Sequence, residues 1–288
     1  MSDRPLYVCL NGNIIKQEEA LIPANNSALY YGTSCFETLL VQKSRFFKLK
    51  EHIDRLNRGM AYLSGGKVQD VAVDQIKSDT LRLLKENQIE QERVKVRIQF
   101  SLMEESGYSE TRNPRYFLLI TVSKAAESVK PLIVTIADTR VVPSNSRPAD
   151  LKLSNMLHYR QAWREAKSAG VDDAILLTTD DVLAETSIGN LFWKKDDVIY
   201  TPSTDCDILP GIMRNSLIDI LTNKMNLKVM EGKYRFSELK AAESVWMTNS
   251  VREIQAISEV DGREFETDQA FIGQLKSRLK EYKTEHRS

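Results

Sequence analysis

Several short stretches of this chain carry residue types that could do chemistry. Glu185 follows the apolar run Val182-Leu183-Ala184 and precedes small residues and then Leu191-Phe192-Trp193. By residue type alone it is either a surface carboxylate at a strand end or a buried one, and a buried carboxylate needs a cationic or protonated partner. His52 and Arg55 lie three apart on one helical face. They are either a solvated helix surface or a guanidinium set to grip an anion in bidentate fashion. Thr248-Asn249-Ser250 follows an apolar strand and reads as a strand-to-helix turn ahead of Val251-Arg252-Glu253-Ile254. Its hydroxyls and N–H groups are either a helix cap or an anion nest. Leu209-Pro210-Gly211 reads as a turn opening a helix at Ile212-Met213. Lys152 follows the turn Pro148-Ala149-Asp150, and nothing in its spacing marks it as a nucleophile.

Composition narrows the classes of function. The 288 residues suffice for one large or two ordinary domains, with 42% hydrophobic and 28% charged residues, as in globular proteins. The 40 basic residues balance the 40 acidic ones, so the chain lacks the basic excess of a nucleic-acid binder. Cys9, Cys35 and Cys206 are odd in number and form no Cys-x-x-Cys, which argues against a disulfide framework or structural zinc. His52, His158 and His286 are too scattered for a metal-ligand pattern. Met1-Ser2-Asp3-Arg4-Pro5 lacks the layout of a signal peptide, and the longest apolar runs are strand-sized. The expectation is a reducing, cytoplasmic setting, without membrane or metal.

The elements that must position these residues follow from periodicity. Leu6–Leu10 and Ile14-Ile15 read as strands around the Asn11-Gly12-Asn13 turn. Cys35–Val41 and Arg45–Lys48 read as further strands. Ile53, Leu56, Met60 and Leu63 recur at helical spacing up to Gly65-Gly66, and 73–86 reads as a second helix. Val94, Val96, Ile98 and Phe100 alternate as a half-buried strand, and Tyr116–Val122 is another. The polar stretch 123–130 reads as a linker between a small α+β domain (1–122) and a larger one (131–288). In the latter, strands are expected at 132–137, 174–177, 182–184, 191–193, 198–200 and 244–247. Helices are expected at 159–167, 212–221 and 271–282.

Taken in register, these segments resemble the fold-type IV pyridoxal-phosphate enzymes, which include branched-chain and D-amino acid aminotransferases and 4-amino-4-deoxychorismate lyases. Tyr31-Gly32-Thr33-Ser34-Cys35-Phe36-Glu37-Thr38 is similar to the family's Tyr-Gly-Asp-Gly-x-Phe-Glu-Thr. His52-Ile53-Asp54-Arg55-Leu56 is similar to His-x-x-Arg-Leu, and Leu151-Lys152-Leu153-Ser154-Asn155 to the segment bearing the Schiff-base lysine. Glu185 to Trp193 is similar to the Glu-x-Ser-x-x-Asn-x-Phe run, and Leu209 to Arg214 to Leu-x-Gly-Ile-Thr-Arg. Thr33-Ser34 in place of Asp-Gly and Met213 in place of Thr depart from the pattern.

The resemblance implies a two-domain α+β fold, with a small α/β N-terminal domain and a larger mixed, β-barrel-like C-terminal domain. It implies pyridoxal 5'-phosphate, an amino-acid-like small-molecule substrate and a homodimer. Lys152 would carry the cofactor and act as acid–base group, and Glu185 would pair with the protonated pyridine nitrogen. Arg55 would clamp the phosphate, completed by Asn249, Ser250 and the backbone at Ile212 and Met213. Tyr31, Arg97 and Arg140 are the candidates for substrate. Ser154-Asn155-Met156-Leu157 stands where branched-chain enzymes carry Gly-Asn-Tyr-Leu. Thr248-Asn249-Ser250 with Arg252 is similar to the late turn of aminodeoxychorismate lyases. The expected reaction is that lyase's, with an aminotransferase on branched-chain or D-amino acids as alternative and a non-catalytic cofactor-binding relative as the reading from another class. Between Arg97 and Arg112 the chain has acids, Glu104 and Glu105, rather than an arginine.

Overall fold

A computed structural model describes residues 6–103, 112–127 and 130–286, so Glu104 and Glu105 lie outside the described residues. The chain forms two compact units. The first holds the residues up to Ala126 together with Leu151–Asn155. It contains β1 (Tyr7–Leu10), β2 (Asn13–Lys16), α1 (Ser27–Tyr31), β3 (Ser34–Gln42), α2 (Leu49–Ser64), α3 (Val73–Glu86), β4 (Arg93–Leu102) and β5 (Tyr116–Lys124). The strands form an antiparallel sheet in the order β2-β1-β5-β4-β3. Asn11 and Gly12 take φ of 51° and 80°, as a two-residue hairpin loop demands.

Alternation along the strands sorts the side chains. Val94, Val96, Ile98 and Phe100 of β4 and Cys35, Leu39 and Val41 of β3 share one core with Ile53, Leu56 and Met60 of α2 and Ile76 and Leu83 of α3. Period two therefore directs Glu37 toward that core and leaves Phe36, Arg97 and Gln99 on the opposite face. Leu151–Asn155 returns beside β3: Leu153 bridges Cys35, Phe36 N donates to Lys152 O at 2.9 Å, and Ser154 N donates to Ser34 O at 2.7 Å.

Two expectations change in this unit. Arg45–Lys48 is not a strand but isolated bridge positions at Arg45, which pairs with Gln42, and at Phe47, because left-handed Lys43, Ser44 and Lys48 turn the chain on both sides. Ser123 and Lys124, read as linker, extend β5 opposite Lys95 and Val94. Backbone pairing carries them there without apolar side chains.

The second unit holds Glu127–Asp150 and Met156–Glu285. Its elements are β6 (Leu132–Arg140), α4 (Leu157–Ser168), β7 (Asp173–Leu177), β8 (Leu183–Thr186), β9 (Asn190–Lys195), β10 (Val198–Pro202), α5 (Ile212–Asp219), β11 (Lys228–Gly232), α6 (Phe236–Leu239), β12 (Ser244–Asn249), β13 (Glu253–Val260), β14 (Arg263–Glu264) and α7 (Gln269–Glu285). Strands β6, β7, β8, β9, β12 and β13 pair in sequence, and β13 returns to β6, so the sheet closes into a barrel. The pair that closes β8 on β9 is Glu185 with Asn190. Leu132, Val134, Ile175, Leu183, Leu191, Val245, Met247 and Ile257 form its main core.

The sequence reading missed β11 and β13. β11 is an edge strand with exposed Lys228 and Glu231, so it carries no apolar run. Val251–Ile254 was expected to begin a helix. Instead Glu253, at φ 63°, redirects the chain into β13, antiparallel to β12. The helix expected at 212–221 ends as α5 at Asp219 and continues as a π-turn, Ile220–Lys224.

Candidate active site

In the second unit the geometry centres on Glu185, which is only 4% exposed. It lies within β8 rather than after its end. Oε1 accepts from the Tyr159 hydroxyl at 2.5 Å and from Leu209 N at 3.0 Å, while Oε2 accepts from Asn190 Nδ2 at 2.9 Å. The donors come from α4, from the turn before α5 and from β9, so three elements fix one carboxylate. Burial with charge-matched hydrogen bonds is what an ionised group requires inside a protein. Burial holds the pKa of Arg147, ahead of α4, below its ordinary value, and the charges of Tyr159 and Glu185 act against this without cancelling it.

Asn190 links this carboxylate to the start of α5. Its Nδ2 also donates to Leu209 O at 2.8 Å. A Cβ on Gly211 would stand 2.2 Å from Asn190 Oδ1, so only glycine lets the two chains approach this closely. Gly211 is the N-cap of α5 and has no side chain to offer Ile212 or Met213. The first turn of α5 thus presents its N–H groups without a side-chain cap, the arrangement that binds anions at helix N-termini.

Asn190 pairs with Thr248 on the neighbouring strand β12, at the entrance to the late turn. Asn249 is occupied in building that turn: Oδ1 accepts from Val251 N at 2.9 Å and Arg252 N at 2.7 Å, and Nδ2 donates to Ile188 O at 3.0 Å. Its side chain thus brackets the turn. Ser250, at the tip, makes no hydrogen bond among the described residues. Arg214, in the same motif as Met213, is buried and anchors α5 to Pro202 O at 2.8 Å and to Glu231 at 2.6 Å.

In the first unit Arg55 lies between α2 and β3. Its Nε and Nη2 donate to Glu37 Oε1 and Oε2 at 2.6 and 2.9 Å, and His52 Nδ1 lies 2.6 Å from Glu37 Oε2. Burial pushes the Glu37 carboxyl up, but the charges and hydrogen bonds of Arg55 and His52 outweigh it and hold the pKa down at about 2. On the opposite face, Lys152 Nζ lies 4.7 Å from the centre of the Phe36 ring and Arg97 Cζ lies 3.6 Å from it. Gln99 holds Arg97 at 2.7 Å and donates to Ser154 Oγ at 3.0 Å. Lys152 and Arg97 thus flank one aromatic ring, whereas Arg55 belongs to the helix-covered face. Tyr31 is half exposed, in α1. Arg140 is spent elsewhere: it donates to Ala137 O at 2.7 Å and Asp138 O at 3.1 Å and pairs with Asp181 at 2.9 Å.

Tyr159, Arg147 and Glu37 escaped the sequence reading. Tyr159 lies in the first turn of an amphipathic helix, and a buried tyrosine hydroxyl demands a partner, but nothing in its spacing points to Glu185. Among the described residues no group of His, Cys, Asp and Glu could hold a metal ion, and no helix is long and apolar enough to cross a membrane. Cys9, Cys35 and Cys206 are buried free thiols.

Comparison with known proteins bears on the whole arrangement. The family model described as amino-transferase class IV matches residues 34–260. A branched-chain-amino-acid aminotransferase-like protein 2 of Arabidopsis thaliana is 28% identical over 90% of this chain, which spans 46% of that protein. An aminodeoxychorismate lyase of Bacillus subtilis is 29% identical over 88% of this chain and 86% of its own length. Among solved structures, a branched-chain aminotransferase of Thermoproteus uzoniensis with norvaline superposes with a TM-score of 0.88 at 22% identity, covering 98% of each chain. One of Thermobaculum terrenum in its PLP form gives 0.86 at 20% identity, covering 100% of this chain and 99% of that one. At these identities the structural likeness speaks for the fold: the two-domain, fold-type IV arrangement.

Proposed function

Because the chain belongs to the class IV amino-transferase family, whose members use pyridoxal phosphate, we propose that it acts as a 4-amino-4-deoxychorismate lyase. The observation that carries this choice is the late turn, in which Asn249 brackets Val251, Arg252 and Ile188. A Gly-Thr pair, as branched-chain enzymes carry there, has no side chain able to make these three bonds. Met156, where those enzymes carry tyrosine, supports the same reading.

The residues present fit the cofactor. Glu185 is a buried carboxylate fixed for a protonated ring nitrogen, and the close approach of Gly211 to Asn190 leaves the start of α5 uncapped for a phosphate. Bound pyridoxal phosphate supplies an electron sink for the carbon that loses its proton. Lys152 is assigned to hold the cofactor through Nζ and to move the proton at the amine-bearing carbon of the substrate. Glu185 keeps the ring nitrogen protonated. The N–H groups of Ile212 and Met213 and the hydroxyl of Ser250 hold the phosphate, and Arg55, its plane fixed by Glu37, joins them on the strength of the motif. Arg97, held by Gln99 beside Lys152, is the candidate receptor for a substrate carboxylate. The substrate divides into 4-aminobenzoate and pyruvate with no change in net oxidation state, so no keto-acid acceptor is required.

Aminodeoxychorismate supplied alone should yield 4-aminobenzoate and pyruvate. Transfer of an amino group from leucine, glutamate or D-alanine to 2-oxoglutarate or pyruvate, without aminobenzoate, would overturn this choice. It would establish the aminotransferase, which relatives named probable branched-chain aminotransferases at 29% identity favour.

A further inference from the structure

We infer that Tyr159 is a positioning residue that fixes Glu185 against the ring nitrogen of the cofactor, an inference that rests on the role proposed for Glu185. A carboxylate on a strand is free to turn about its terminal torsion, which is broad and shallow. Here Oε1 takes two donors at once, the Tyr159 hydroxyl at 2.5 Å and Leu209 N at 3.0 Å, while Asn190 takes Oε2. Leu209 N is backbone, and Asn190 is itself tied to Leu209 O. Tyr159 is a donor carried by a separate helix, α4, so it ties the carboxylate to an element to which neither Leu209 nor Asn190 belongs.

The tyrosine is suited to this task. Its ring packs on His158 with centroids 4.1 Å apart, which fixes the position of the hydroxyl. Burial, then the charge of Glu185, push its pKa well above the ordinary value, so it remains a donor throughout the working range. Donation to an ionised carboxylate favours the ionised form. The charged and titratable groups facing the pair are Arg147, ahead of α4, His158, on α4, and Asp207, ahead of α5. Arg147 acts in the same sense as the hydroxyl, and Asp207 opposes it.

The test removes one oxygen atom. Tyr159→Phe keeps the ring against His158 and should weaken equilibrium binding of pyridoxal phosphate to the apoenzyme by about tenfold, the usual effect of losing a hydrogen bond to a charged group. It should also move the acid limb of kcat/KM upward by about one pH unit, since the carboxylate loses a donor that favours its ionised form. In a Glu185→Ala background, the same change should leave pyridoxal-phosphate affinity unaltered, because the effect travels through Glu185. An equal loss of affinity in both backgrounds would assign Tyr159 a structural role and overturn the inference. An unshifted acid limb with unchanged affinity, in a protein that Glu185→Ala inactivates, would also overturn it while leaving the reading of Glu185 intact. Near wild-type turnover in Glu185→Ala would remove that reading and this inference with it.

Discussion

At the residue scale, Glu185 and Glu37 are two buried carboxylates with different partners. Glu185 is held by hydrogen bonds from a tyrosine, an asparagine and a backbone N–H, and Glu37 by the cations Arg55 and His52. Glu185→Ala should still bind pyridoxal phosphate but lose most turnover, because an unprotonated ring is a poorer electron sink. Turnover close to wild type in a spectroscopically loaded variant would refute that role. Glu37→Gln should act on stability instead. It leaves Arg55 as a buried guanidinium without its counter-charge, which costs about 3–5 kcal/mol, to be read from the urea unfolding midpoint. The residue motifs were legible as chemistry before the fold was known. The partners were not, because Tyr159 and Arg147 reach Glu185 only when α4 folds against the barrel.

At the scale of elements, two glycines control how closely segments approach. A Cβ on Gly59 of α2 would stand 2.9 Å from both Cβ and Sγ of Cys35 on β3. Gly59→Ala should therefore destabilise the protein by about 1–3 kcal/mol through overpacking, although in an open helix the same change gains about 1 kcal/mol. A thermal melt decides between these signs, and a higher unfolding midpoint would show that α2 can shift away. Gly211→Ala would drive a methyl into Asn190, the partner of Glu185. It should lower affinity for pyridoxal phosphate more than it lowers the unfolding midpoint, measured by titration and melting on the same preparation. Most elements were legible because period two and helical spacing report burial directly: β4 and α3 appear where Val94–Phe100 and 73–86 place them. β13 was not, since a left-handed Glu253 and the Asn249 bracket are properties of a folded turn.

At the scale of the whole molecule, the half-buried His158 and the buried Glu37 tie stability to pH. Burial, and then Arg147, lower the pKa of His158 from 6.5 to about 4. Above pH 6.5 the group is neutral in both states. Between 6.5 and 4 the unfolded chain binds a proton that the folded one resists, so stability falls as pH falls. The stabilisation from Glu37, whose folded pKa is about 2 against an ordinary 4.5, is complete above 4.5 and is lost as pH drops through 2. Urea midpoints should therefore decline in two stages, and His158→Gln should flatten the upper stage only. An unchanged slope between pH 6.5 and 4 in that variant would place its source elsewhere. The sequence by itself determined the family motifs and the order of most elements, since those depend on residue type and local period. The tertiary structure decided which face of β3 each residue occupies and which bonds occupy Asn249 and Arg140. It also returned Leu151–Asn155 to the first unit. It closed the barrel at Glu185 and Asn190. A closing pair joins strands whose register only the completed sheet imposes, and no local spacing encodes it.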